Sequence, residues 1–399
     1  MKVKDIGEQG LLRILQKFCP AEIVGDDCAV LPTNPNQSLA ITTDMLVDKV
    51  HFSDRTTGPY YAGWRAAAAN LSDLAAMGAK PLAVTVALAV AADTAVEWVE
   101  EFYRGMTACL QEYDTPIVGG DVVRSPVVTV AITAFGQVEC DRTISRSNAR
   151  SDWAIVATGV HGASRAGLEL LLNPEFGQNL SEVDRASLIL AHQCPKPRLD
   201  VLPVVWEILG SKGAMEPPLS PPLAKGGKQD FNSSGAMEPP LSPPLAKGGK
   251  QDFNSPPLSK GGPGGVNSPR LTKGGPGGVK SSIAIAGMDS SDGLADAIIQ
   301  ICRASGVGAK VDRTKLPIPD IFSEILSTEK ALDWALYGGE DFELVLFLPI
   351  ANAQLLVEKI GNGAAIVGIA TESTDIWLTD SSGIERDTVL KIDRGFQHF

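Results

Sequence analysis

Asn70-Leu71-Ser72-Asp73-Leu74-Ala75-Ala76-Met77-Gly78 closes an apolar run that begins near Tyr60, with Ala66, Ala67, Ala68 and Ala69 leading into Leu71, Leu74 and Met77. A helix that is apolar on every side is a buried helix. Asp73 sits inside it, and Arg65 and Lys80 lie too far along the chain to neutralise it locally. A buried carboxylate without a partner is costly or changes its pKa. The stretch therefore predicts a cation, supplied from elsewhere, facing Asp73.

The same pattern recurs at the ends of other short runs. Asp26 and Asp27 follow Gly25; Thr42, Thr43 and Asp44 follow 39–41; Gly119, Gly120 and Asp121 follow 116–118. Asp289, Ser291 and Asp292 follow 283–288, and Glu340 and Asp341 follow Gly338-Gly339. One Asp at a strand end is ordinarily a turn former or helix cap. Repetition in one chain points instead to a shared task. Oxygen ligands without neighbouring His or Cys suit magnesium rather than zinc.

Bulk properties narrow the classes. A chain of 399 residues has room for two domains with substantial cores. A net charge of −12 argues against non-specific nucleic-acid binding, which needs a basic surface. No apolar run reaches membrane-spanning length, and residues 1–5 lack the core of a signal peptide. Cys19, Cys28, Cys109, Cys140, Cys194 and Cys302 form no C-x-x-C pair. They read as reduced packing residues, and the expected location is cytoplasmic.

The spacing predicts an amphipathic helix over 5–18, and strands over 39–43 and 82–90, the second apolar enough to be buried on both faces. A helix follows over 94–113, with Thr94 and Glu97 at capping-box spacing. Strands are expected at 116–118, 127–135 and 153–158, then helices at 164–172, 181–192 and 197–209. A polar, Arg-rich change of composition near 141–152 marks a domain boundary. Later strands fall at 283–287, 307–311, 342–348 and 364–369, with helices at 289–304, 321–326, 329–336 and 351–360. Ser290 or Ser291 is expected to cap the helix at 289–304. The sum is an α+β arrangement with mixed sheets flanked by helices.

Between them the chain changes character. Residues 213–233 recur verbatim at 235–255, with shorter echoes at 256–262 and 269–275. Residues 213–281 hold 13 of the 27 prolines and 14 of the 40 glycines, a composition that cannot repay its ordering entropy by burial. Eight Lys and Arg against four Asp and Glu make it +4, leaving −16 on the rest. It reads as a disordered insertion. Near its end, 274–281 almost spells a P-loop, but Val279 stands where the second Gly is required.

Many carboxylates and no P-loop suggest a metal-bridged phosphate site, since phosphoryl transfer is mostly positioning and charge neutralisation. Gly25-Asp26-Asp27-Cys28-Ala29, Thr42-Thr43-Asp44, Val50-His51-Phe52, the stretch at 70–78, Gly119-Gly120-Asp121, Asp289-Ser290-Ser291-Asp292-Gly293-Leu294 and Gly338-Gly339-Glu340-Asp341-Phe342-Glu343-Leu344 fall in one order. That ordered set resembles the thiamine-monophosphate kinases, of the aminoimidazole-ribonucleotide synthetase superfamily, over 1–210 and 283–399.

The resemblance implies a two-domain fold of that superfamily. Residues 1–140 would be a dimerising, metal- and ATP-binding domain; 141–212 and 282–399 would form the C-terminal domain around the insertion. It implies transfer of the γ-phosphate of ATP to thiamine monophosphate in a homodimer, with several Mg²⁺ ions. By position, Asp27, Thr42, Thr43, Asp44, Asp73, Asp121, Asp289 and Asp292 would bind Mg²⁺. Tyr103, Gly120, Arg146 and Ser291 would contact ATP, and His51, Glu340 and Phe396 the acceptor. Three places depart from the family pattern: Ser290 replaces Ile or Leu, Arg150-Ser151-Asp152 a Pro-Gly-Asp turn, and Asp393-Arg394-Gly395 a Trp-Lys-Gly. The alternatives are a sister enzyme, such as selenophosphate synthetase or the hydrogenase-maturation dehydratase, and a nucleotide-dependent scaffold that binds a partner through the repeats.

Overall fold

The computed structural model describes residues 1–20, 33–210, 284–361 and 363–391. The insertion at 213–281, Asp27 and Phe396 lie outside the described residues. Two sheets organise the chain.

The first is built from residues 37–139. Helix α1 (Val3–Leu15) turns at Gly7 and buries Leu11 and Leu15. Then come β1 (Gln37–Val47), α2 (Pro59–Ala76), β2 (Lys80–Val90), α3 (Val96–Gln111), β3 (Ile117–Arg124) and β4 (Thr129–Glu139). The sheet order is β1-β4-β2-β3, antiparallel except for the parallel β2–β3 pair. Strands β1, β3 and β4 are longer than their apolar runs suggest. Thr42, Thr43, Asp44, Gly119, Gly120 and Asp121 thus lie inside strands rather than at their ends. Ladder hydrogen bonds carry a strand through polar residues once its neighbours fix the register.

Helix α2 packs across this sheet, and α3 packs on α2. The two helices meet through glycines. A Cβ on Gly63 would stand 1.9 Å from the Phe102 carbonyl oxygen, and one on Gly105 1.7 Å from that of Tyr60. The expected cap on α3 is absent: Ala95 occupies the cap position, and Glu97 lies 3.7 Å from the amino terminus instead.

Among the described residues the helices cover one face of the sheet. On the other, Leu39, Ile41, Met45 and Val123 are each about half exposed or more, and Ala87 is exposed. Strand β2 is therefore not buried on both faces, as its apolar run suggests.

The second sheet begins with β5 (Ala154–Ala157). Helices α4 (Ala163–Leu172), α5 (Glu182–Gln193) and α6 (Val201–Gly210) follow, then β6 (Ala286–Asp289), α7 (Leu294–Ser305), β7 (Gly308–Asp312), α8 (Phe322–Ile325) and α9 (Thr328–Tyr337). The chain continues through β8 (Leu344–Leu348), α10 (Ile350–Ile360), β9 (Ala365–Thr371) and two strands without a strong sequence signal, β10 (Ile376–Thr379) and β11 (Thr388–Val389). The order β11-β10-β7-β9-β5-β8-β6 is antiparallel apart from the parallel β10–β7 pair. Helix α7 starts later than expected and has Gly293, not Ser290 or Ser291, at its cap. Both serines bond elsewhere, as described below.

Helix α2 joins the two cores. Leu71 and Leu74 pack with the first sheet, Ala75 and Ala76 with β5, β8, α6 and α10. A helix with a sheet on either side must be apolar all round. That explains its alanines, and makes its polar residues the informative ones.

Candidate active site

Period-two alternation along β1 turns Thr42, Asp44 and Leu46 toward α2 and sends Thr43 and Met45 to the open face. Asp44 is tied to α2 by its backbone amide, which donates to Asn70 Oδ1 at 3.1 Å. The Thr42 hydroxyl donates to Asp73. From the second sheet, Asp289 ends β6, fully buried, and accepts from Ser72 Oγ of α2 at 2.8 Å and from Ser291 Oγ at 3.3 Å.

Carboxylates from β1, α2 and the β6–α7 turn thus converge. Burial first, then Asp73 and Asp292, push Asp44 up to about 6. Burial, with Asp73 and Asp44 close by, pushes Asp289 up to about 7 against the pull of Ser72 and Ser291. Burial raises Asp73 as well, opposed by the Thr42 hydrogen bond and the Arg146 guanidinium. Arg146 is exposed and donates to Gln300 Oε1 at 2.6 Å, and its charge is the smallest of these influences on Asp73. That attraction acts on Asp73, whereas Asp44 and Asp289 lie against like charge. An all-oxygen group with excess negative charge fits Mg²⁺. The acids do not close into a finished cage; among the described residues no three His, Cys, Asp or Glu do so. Mg²⁺ commonly completes its shell with water and substrate phosphate.

A second group lies beside this one. The loop at 338–343 holds three consecutive-to-near residues in left-handed backbone, Gly339, Glu340 and Phe342, with φ of 66°, 59° and 52°. For the two that are not glycine this conformation is strained. The Glu340 amide donates to the Ser291 carbonyl at 2.7 Å, so the loop rests on the turn that carries Asp289 and Asp292. Asp341 is partly buried and accepts the amides of Gly162 and Ser164 at 2.7 and 2.9 Å, capping α4. The Glu340 carboxylate is paired with Arg65 of α2 and lies 3.8 Å from His192 Nδ1. His51 follows β1, where its Nδ1 accepts from the Val47 amide at 3.1 Å. The same loop reaches α5 through the Thr56 carbonyl, which accepts from Gln193, next to His192.

The remaining expected residues stand apart. Rows across the first sheet run Asp44–Ile132–Val86–Gly120 on the helix side and Met45–Ala131–Ala87–Asp121 on the open side. Asp121 and Thr43 therefore lie on the face opposite Asp44, Asp121 accepting its neighbour Val122's amide and Thr43 donating to the Ile132 carbonyl. Gly120 has a packing reason, since a Cβ there would sit 2.0 Å from the Val86 carbonyl oxygen. Tyr103 is 3% exposed in the core, its ring against Phe18 and Phe102.

A family model described as AIR synthase related protein, N-terminal domain, matches residues 25–138. The thiamine-monophosphate kinase of Synechococcus elongatus is 42% identical, the alignment covering 100% of this chain and 98% of the relative. This chain belongs to the thiamine-monophosphate kinase family. A crystal structure of thiamine-monophosphate kinase from Stenotrophomonas maltophilia aligns over 88% of each chain with a TM-score of 0.63 and 25% identity. A structure described as AaThiL complexed with AMPPCP and TMP aligns over 98% of each chain, with a TM-score of 0.60 and 24% identity.

Within that kinase fold, the sequence assigned no part in the site to Arg65, His192 or Ser72. For Arg65 and Ser72 the signal was polarity in an otherwise apolar helix; His192, near the end of α5, carries no such signal. Arg65 and Ser72 are seven residues apart, two helical turns, and so share the face that meets the second sheet. Among the described residues no helix is long and apolar enough to cross a membrane.

Proposed function

We propose that the chain transfers the γ-phosphate of ATP to thiamine monophosphate, giving thiamine diphosphate, in the cytoplasm and as a homodimer. The observation that carries this reading is the convergence of Asp44, Asp73, Asp289 and Asp292, in a member of this kinase family. These carboxylates, with Thr42, would hold Mg²⁺ at the phosphate end, and Arg146 and Ser291 would meet ATP. When bound, the metal ions would offset charge between two phosphate groups that otherwise repel.

The chain's own residues do the rest. Ser72 and Ser291 orient Asp289, and Thr42 orients Asp73. Glu340 and His51 would receive the acceptor. Its phosphate oxygens are largely deprotonated near neutral pH, so no general base is needed and no phosphoenzyme is required. Direct in-line transfer with inversion at phosphorus is the expected course. The open face with Leu39, Ile41, Met45 and Val123 supports pairing with a second copy, which would also cover Thr43 and Asp121.

A coupled assay tests the reading: thiamine diphosphate formed from ATP and thiamine monophosphate, dependent on added Mg²⁺. ATP consumption that is indifferent to thiamine monophosphate would reject it in favour of a sister enzyme. Net retention in a chiral-phosphate experiment would reject the direct transfer alone.

A further inference from the structure

Arg65 is 2% exposed in a helix whose neighbours are almost all apolar. Burying a guanidinium is unfavourable unless its donors are met, and an apolar residue of similar volume would often serve the fold as well. Here they are met only in part. One terminal nitrogen pairs with Glu340 Oε1; the other donates to the His192 carbonyl at 2.6 Å and lies 3.3 Å from His192 Nδ1. The Arg65 Nε is buried with no hydrogen-bond partner among the described residues.

The arrangement favours Glu340 more than the core. Glu340 sits on a strained loop and its side chain is 37% exposed, although its partner is buried. Arg65 holds one carboxylate oxygen. Oε2 makes no hydrogen bond among the described residues and lies 3.8 Å from His192 Nδ1. His192 is held neutral by burial, and by Arg65 and Arg165, so it does not act as a competing cation there. The pairing fixes the carboxylate and leaves one oxygen for a ligand.

We propose that Arg65 is a positioning residue for the acceptor, aiming Glu340 Oε2 at the cationic thiazolium and aminopyrimidine end of thiamine monophosphate. This rests on the kinase reading above. Helix α2 then acts on both ends of the acceptor: Arg65 sets the ring end and Asp73 belongs to the phosphate end. Eight residues separate them, a rise of about 12 Å along the helix. One extended small molecule, cationic at one end and anionic at the other, matches that polarity.

The test compares the parent chain with Arg65→Met, Arg65→Lys, Glu340→Gln and the double variant Arg65→Met/Glu340→Gln. KM for each substrate comes from steady-state kinetics, and thiamine monophosphate affinity from calorimetry without ATP. Arg65→Met should raise KM and Kd for thiamine monophosphate about tenfold or more and leave KM for ATP within about twofold, the split expected for lost ground-state binding. Arg65→Lys should recover part of the loss. The double variant should be no worse than Glu340→Gln, because Arg65 acts through that carboxylate. Equal rises in both KM values, or losses that multiply in the double variant, would overturn the proposal. If Arg65→Met does not fold, Arg65→Lys and Glu340→Gln decide by the same split between substrates. A parent chain without thiamine monophosphate turnover would instead count against the kinase reading itself.

Discussion

Acidification should destabilise the fold through His161, and replacing His161 with Asn should remove that share of the loss. His161 follows β5 and is fully buried. Its Nδ1 is 3.0 Å from the Gly159 carbonyl, so that nitrogen carries the proton; Nε2, at 3.1 Å, then accepts from the Ser290 hydroxyl. Burial, partly offset by the Gly159 carbonyl, lowers its pKa from 6.5 to about 4. The unfolded chain therefore takes up the proton first. The stability held by neutral His161 is complete above about 6.5 and lost as the pH falls toward 4. Between about pH 7.5 and about pH 5 the loss amounts to about 2 kcal/mol.

Asp44 and Asp289 work in the opposite direction. Their raised pKa values mean that the folded state is protonated first, so they gain stability as the pH falls. The parent curve alone is thus a poor test, and the difference between parent and variant is the diagnostic quantity. His161→Asn should cost about 1–2 kcal/mol near neutrality through its lost hydrogen bonds. Urea unfolding followed by near-ultraviolet circular dichroism should show that gap closing, or reversing, at about pH 5. A gap constant to within about 0.5 kcal/mol over the range would refute the linkage.

Asp73→Asn should abolish turnover while leaving the melting temperature equal or higher, because it relieves repulsion with Asp44 and Asp289; near-parent activity would mean that the acidic group is not the reaction centre. Ile41→Glu, on the open face where Ile41 is 59% exposed, should give a folded monomer by sedimentation velocity. An unchanged dimer would place the interface elsewhere. Replacing 213–281 with a short Gly/Ser linker should keep kcat and KM within about threefold, under about 0.7 kcal/mol. A tenfold rise in KM for ATP at constant melting temperature would mean that the repeats take part in catalysis.

Asp73 was legible because a carboxylate in an apolar helix contradicts its surroundings, and both the helix and the need for a distant cation follow from that contradiction. The acids after short runs were legible as a set. Which of them meet was not. Thr42 and Asp44 face α2, and Thr43, between them, does not, because strand direction alternates side chains once the register is fixed. Asp121 reads like Asp44 in sequence, yet its row emerges on the open face. Arg65 was noticed only as a cation too distant for Asp73; its partner Glu340 lies 275 residues away and no local pattern predicts it. Strand lengths were underestimated for a related reason, since polar residues persist in a ladder wherever a neighbour supplies the hydrogen bonds.

The glycine contact between α2 and α3 limits how this catalyst can diversify. Gly63 and Gly105 each face the opposite helix's backbone, so neither can acquire a side chain unless the helices separate. Such a separation would shift Arg65, Ser72 and Asp73 as one body, altering both ends of the site together. Selection for a new acceptor therefore has little freedom in the spacing between these ends. Its accessible changes lie in the loops at 48–58 and 338–343, which can be remodelled without moving that helix pair.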